Sequence, residues 1–184
     1  MMTSRQYIFF WVGITFFLVG ILLIFYTNFF YIKNSPEDSG SVVKVYFPNK
    51  IEDPETIDCS KSYSSYRNVK LGGDMDLSGI VESSNIELGR DIFLSVDNLL
   101  AGPTPQEQAN GFFTAINPGV RINHIIIEEG EVSIDFSEDL NNGVAGSCRV
   151  GMIRSQIEST IGQFSQVKKI NISVQGRTED ILQP

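Results

Sequence analysis

The chain has 184 residues, 42 % hydrophobic and 20 % charged, which suits one folded domain with an additional segment and not a disordered polymer. Its 14 basic and 22 acidic side chains leave a formal charge of −8. That balance excludes nucleic acid as a partner, because phosphate binding draws its affinity from clustered Lys and Arg. One histidine and two cysteines leave too little material for a multi-ligand zinc site or a histidine relay, and no cofactor is expected.

Hydrophobicity is concentrated at the amino terminus, where more than half of the aromatic residues lie between Tyr7 and Tyr31. From Tyr7 to Ile32 no charged residue occurs, and about 20 apolar residues suffice to cross the hydrocarbon of a bilayer. The run predicts a single transmembrane anchor over residues 7–32 behind a short cytoplasmic amino terminus, 1–6. Tyr7 and Trp11 at one end and Tyr26 and Tyr31 at the other suit the two lipid interfaces. A cleaved signal peptide fits less well, because the run is long and ends in Phe29, Phe30 and Tyr31 instead of small residues. Gly13 and Gly20 lack the spacing of a helix-pairing motif.

Charge barely orients this anchor: Arg5 precedes it, and Lys33 follows it with Glu37 and Asp38 close behind. Two cysteines in a polar domain fit an oxidising compartment, which puts the amino terminus in the cytoplasm and the bulk of the chain outside. Residues 33–41 form a polar linker. Since Arg5 and Lys33 offset Glu37 and Asp38, the whole −8 belongs to the domain beyond this linker. Such a surface should avoid anionic lipid headgroups and acidic wall polymers.

Val43, Val45 and Phe47 alternate with polar neighbours and predict a half-buried strand that Pro48 ends. A polar loop through Cys59 precedes a short strand near Tyr66 to Leu71. Leu88, Ile92, Val96, Leu99 and Leu100 line one helical face, and Gly102-Pro103 stops it. Thr104-Pro105-Gln106-Glu107 supplies a capping residue, proline at the first helical position and glutamate at the third, so a second short helix starts at once. A short extended run through Phe113 and Ile116 leads to a turn at Pro118-Gly119. A hairpin then turns around Glu129-Gly130, with Val132, Ile134 and Phe136 on one face of its second arm. On the first arm His124 shares a face with Ile122 and Ile126. Val150, Ile153, Ile157, Ile161 and Phe164 form another helical stripe, opposite Arg149, Arg154, Gln156 and Glu158. Ile170, Ile172 and Val174 alternate in a last strand that Gly176 closes. The expected fold is α+β, a mainly antiparallel sheet with two amphipathic helices on one face, over residues 42–176, with 177–184 as a tail.

The segments VKVYFP, LLAGPTPQEQANGFFTAI, IIIEEGEVSIDFSEDL, GSCRVGMIRSQIESTIGQF and VKKINISVQGRTEDILQP resemble, in this order, those of GerMN domains, extracytoplasmic modules of sporulation and spore germination proteins. The resemblance covers most of Val43 to Pro184. It implies a sandwich similar to ring-building modules and a scaffold or interaction role in the envelope, and it transfers no catalytic residue. Two departures stand out: residues 72–84 look like an insertion, and a single copy of the domain is present.

Few constellations could carry chemistry. Cys59 and Cys148 are expected to form a disulfide, as suits a small domain outside the cell. The alternative is a reactive Cys148 thiolate at a helix amino terminus beside Arg149, with His124 the only imidazole base. The inserted segment carries Asp74, Asp76, Ser78 and Glu82, a partial calcium loop that lacks the closing bidentate glutamate, since Asn85 stands in its place. An acidic solvated loop is the simpler reading, and no metal is expected. Glu128, Glu129 and Glu131 crowd the hairpin tip. Asp135 and Glu138 resemble a glycosidase pair without a sugar-binding aromatic cleft. Asn171-Ile172-Ser173 is a formal glycosylation sequon.

The function expected is that of a membrane-anchored, non-catalytic envelope scaffold, whose partners are the lipid bilayer and either other envelope proteins or a second copy. A wall-associated thiol or redox enzyme using Cys148 and a non-catalytic module binding peptidoglycan glycan are the alternatives.

Overall fold

The computed structural model describes residues 17–26, 41–55, 58–69 and 75–183. Residues 17–26 form helix α1, with most side chains exposed. The flanks of the expected anchor, the 1–6 terminus and nearly all of the 33–41 linker lie outside the described residues. Among the described residues no helix is long and apolar enough to cross a membrane. The chain divides into two units, Met1–Ser39 and Gly40–Pro184.

The second unit carries β1 (Ser41–Phe47), β2 (Tyr63–Val69), β3 (Val81–Ser83), α2 (Ile86–Leu100), α3 (Pro105–Ala109), β4 (Ile122–Glu128), β5 (Glu131–Phe136), a 3₁₀ turn (Glu138–Leu140), α4 (Ser147–Gly162) and β6 (Lys169–Val174). The α+β class holds, and the sheets are two. β1 and β2 form an antiparallel pair, and a four-stranded sheet runs β3-β4-β5-β6. Within the larger sheet only β4 and β5 are antiparallel, while β3–β4 and β5–β6 are parallel. The antiparallel arrangement expected of the sheet thus holds for the β4–β5 hairpin. The other two pairings are made through helices, which carry the chain back to the end of the sheet at which the preceding strand began and so align the strands in parallel. β3 itself lies in the segment that looks like an insertion, and at three residues it is too short to show a period.

Helices α2 and α4 pack on each other, and both touch β1 and the larger sheet. The shared core holds Val45, Phe47, Ile92, Ile125, Ile134 and Ile153. In α2 the predicted Leu88, Ile92, Val96 and Leu99 are buried, and Asn85 caps the helix by accepting from the Leu88 amide at 3.1 Å. Leu94 and Ser95 are buried as well, because the helix is covered from more than one side. The Thr104–Glu107 capping box forms as the sequence predicts. The run through Phe113 and Ile116 makes no strand, only a bridge from Asn49 to Phe112. Ile181 and Leu182, assigned to the tail, are buried in the core.

The hairpin turns at Glu129 (φ 49°) and Gly130 (φ 89°), the two left-handed positions of the tight turn favoured by twisted strands. A side chain at Gly130 would bring its Cβ to 2.7 Å from the Gln166 carbonyl oxygen, so only glycine fits. A bulge between Ile122 and His124 corrects the predicted pattern of β4. Ile122 pairs with Phe136 on the core side, and His124 pairs with Asp135 on the opposite face.

Helix α4 departs from its predicted polar face. Val150, Ile153, Ile157 and Ile161 are buried as expected, yet Gln156 is 0 % exposed. Its amide nitrogen donates to the Met152 carbonyl at 3.0 Å, and its oxygen accepts from Thr114 Oγ1 at 2.9 Å, which removes the cost of burying it.

Candidate functional site

Cys59 in the β1–β2 loop and Cys148 in the first turn of α4 are joined by a disulfide, with 5.1 Å between their Cα atoms. The bond heads a seam along one stripe of α4. Gly151 packs beside Cys59, where a Cβ would sit in ordinary van der Waals contact 3.5 Å from the Cys59 carbonyl oxygen. Ser155 Oγ donates to the Ser60 carbonyl at 2.5 Å, and Ser62 Oγ donates to Ser159 Oγ at 2.9 Å. Gln163 Nε2 donates to the Lys44 carbonyl at 2.8 Å, and the Tyr46 amide donates to Thr160 Oγ1 at 3.2 Å. Helical spacing of three or four thus aligns small and polar residues beside the core stripe. Arg149 faces away from any thiolate role: it donates to Asn117 Oδ1 at 2.6 Å and to the Gly143 carbonyl at 3.2 Å.

A second lock fastens β2 to the end of α2 and to α3. Arg67 Nη2 meets Glu107 Oε2 at 2.6 Å, with the two side chains only 11 % and 10 % exposed. Arg67 also donates to the carbonyls of Asn98 at 2.6 Å and Gly102 at 2.8 Å, and so caps the end of α2. Ser65 Oγ and the Thr104 amide each reach Glu107 at 2.6 Å. Burial alone would raise the carboxyl, but bonds from Arg67, Ser65 and Thr104 outweigh it and hold Glu107 down at about 2. In the sequence Glu107 is legible only as a cap, because its partner lies on a strand without a clear apolar period.

The larger sheet buries one face under the helices and leaves the other open. That face carries Glu82 from β3, His124 and Ile126 from β4, Glu131, Ser133 and Asp135 from β5, and Asn171 from β6. It includes a concavity of about 920 Å³ lined in part by Glu82, Ile126, Glu131, Ser133 and Lys169. His124 Nε2 stands 3.7 Å from Glu82 Oε2. Lys169 Nζ lies 2.9 Å from Glu131 Oε1, which Asn171 also engages; these hydrogen bonds lower the Glu131 pKa.

The glycosidase-like pair does not assemble. Asp135 accepts from Ser173 at 2.6 Å, from the Gly176 amide at 2.7 Å and from Asn123 at 2.9 Å. Burial works against it, but these bonds keep its pKa below the usual carboxylate range, whereas a general acid needs a raised one. Glu138 is taken by Arg177 Nη2 at 2.5 Å. The sequon asparagine spends its amide on Glu131 and Ser133. In the partial calcium loop, Asp76 accepts from the Ser78 amide at 2.9 Å, and Asp74 lies outside the described residues. Glu82 has left the loop for β3. Among the described residues no three His, Cys, Asp or Glu side chains gather as metal ligands.

Comparison with known proteins places this architecture. The tandem GerMN domains of the sporulation protein GerM from Bacillus subtilis superpose with a TM-score of 0.52 at 17 % identity, covering 78 % of this chain and 42 % of that one. This chain therefore spans under half the length of the tandem structure. The first GerMN domain of the same protein gives a TM-score of 0.47 at 16 % identity, covering 75 % of this chain and 85 % of that one. A putative lipoprotein from Clostridium perfringens gives 0.41 at 16 % identity, covering 81 % and 85 %. No curated protein gives a significant match. The model of the Germane family, described as sporulation and spore germination, matches residues 44–180. Running from within β1 to beyond β6, that match assigns the chain: it belongs to the Germane family of sporulation and spore germination domains.

Proposed function

We propose that this chain is a single-pass envelope protein whose Germane domain lies outside the cytoplasm and acts by binding, to other envelope proteins or to a second copy of itself. The observation that carries the reading is the Cys59–Cys148 disulfide, a bond that persists in oxidising compartments, in a chain that opens with a charge-free run from Tyr7 to Ile32. The open face of the larger sheet is the binding surface. Asp135 and Glu131 are kept ionised there by neighbouring donors, which suits recognition better than proton transfer. A thiol enzyme draws no support from the site, because the sulfur of Cys148 is bonded to Cys59.

In-cell cross-linking with an amine-reactive linker tests the binding role, since Lys168 and Lys169 border the open face. Cross-links from these lysines to an envelope protein or to another copy are expected. Recovery of the chain as an uncross-linked monomer at every linker concentration would remove the binding reading.

A further inference from the structure

A second surface lies on the outer side of the β1–β2 pair. Alternation turns Val42, Lys44 and Tyr46 away from the core, and the strand register sets them opposite Asn68, Tyr66 and Ser64. The Lys44 ammonium stands 5.4 Å from the centre of the Tyr46 ring and 6.0 Å from that of Tyr66. Tyr66 is 67 % exposed, and Val42 beside it is 64 % exposed. The two tyrosines lie on different strands and share the Lys44 ammonium only because the strands pair, so the sequence shows no aromatic cluster here.

Beside this platform runs a groove of about 400 Å³ whose lining includes Lys44, Tyr66, Arg90, Asp91 and Gln163. Arg90 presents a side chain 42 % exposed, and among the described residues its one ion pair is a 3.5 Å approach to Asp91. Its Nε is buried without a hydrogen-bond partner among those residues. In a chain of net charge −8, this groove carries two cations against one carboxylate.

We propose that the groove binds an anionic wall glycan, namely peptidoglycan bearing carboxylates on its peptide stems. An exposed tyrosine face stacks on the apolar face of a sugar ring, an amphipathic surface that an aromatic side chain matches. Lys44 and Arg90 take the carboxylate, the Arg90 fork supplying the planar geometry that such a group prefers. Asp91 accepts from hydroxyl or amide hydrogens. The assignment rests on the extracytoplasmic location proposed above, and it uses a surface separate from the open sheet face.

The full chain in nanodiscs of zwitterionic lipid, titrated calorimetrically with a soluble disaccharide-tetrapeptide muropeptide, tests it. Saturable binding is expected, at least about tenfold tighter than for neutral diacetylchitobiose and weakened by added salt. Tyr66→Ala and Arg90→Gln should each lose about tenfold in affinity, while Tyr66→Phe keeps it. Because Tyr66 and Arg90 are surface residues, an unchanged melting temperature confirms that the variants fold. Absence of saturable binding, equal affinity for chitobiose, indifference to both variants, or binding of teichoic acid in place of the muropeptide would each overturn the assignment. Any of these leaves the location itself standing, since that is read by protease access to intact cells.

Discussion

Replacing Cys59 and Cys148 together by serine is expected to lower the unfolding free energy by about 4 kcal/mol without changing the fold. The disulfide closes a loop with a sequence separation of 89, and in the chain-entropy model a loop of that order constrains the unfolded state by about 4 to 5 kcal/mol. The native state tolerates the loss, because the Ser155–Ser60 and Ser62–Ser159 hydrogen bonds still hold the β1–β2 loop on α4. Urea titration followed by circular dichroism reads both parts. With a slope of about 2 kcal/mol/M the midpoint should fall by about 2 M, with an unchanged native spectrum. A shift under about 0.5 M would show that the bond closes a loop already ordered in the unfolded chain.

The second large effect is at Glu107. Glu107→Gln keeps a side chain able to complete the capping box with Thr104, but it leaves Arg67 inside without a counter-charge. Breaking one partner of a buried pair costs about 3 to 5 kcal/mol, and a loss of at least about 3 kcal/mol is expected. The same residue sets an acid limb. Its folded pKa is about 2 against an ordinary 4.5, so its contribution is fully present above pH 4.5 and is lost as the pH falls toward 2. That interval is worth about 3 kcal/mol. The difference in stability between wild type and Glu107→Gln should therefore be flat near neutrality and shrink below pH 4.5. A difference that stays constant down to pH 2 would mean that the Arg67–Glu107 pair does not form in solution.

What was legible in the sequence is what repeats locally. Val43, Val45 and Phe47 in β1 and Val132, Ile134 and Phe136 in β5 carry their period within a few residues, and all six are buried. The Thr104–Glu107 box and the Glu129-Gly130 turn are likewise closed by near neighbours. The cysteine pair was foreseeable from compartment and number. The missed features depend on partners distant in the chain. β3 exists only because Val81, Glu82 and Ser83 pair with Ile125, Ile126 and Ile127. The bulge at Ile122/His124 leaves no periodic mark and moved His124 to the other face from Ile122. Gln156 reads as solvated in the sequence because the partner of its oxygen, Thr114, comes from a loop distant in the chain. In the candidate site, glutamates, lysines and His124 were visible as residue types, but their union on one sheet face is a product of strand order.

Location is the premise on which the binding role, the oxidised cysteines and the glycan groove all depend, and protease added to intact cells measures it most directly. Digestion of residues 42–183 with survival of a short membrane-bound fragment containing residues 7–32 is the predicted result. An intact chain, degraded only after the membrane is permeabilised, would contradict the account.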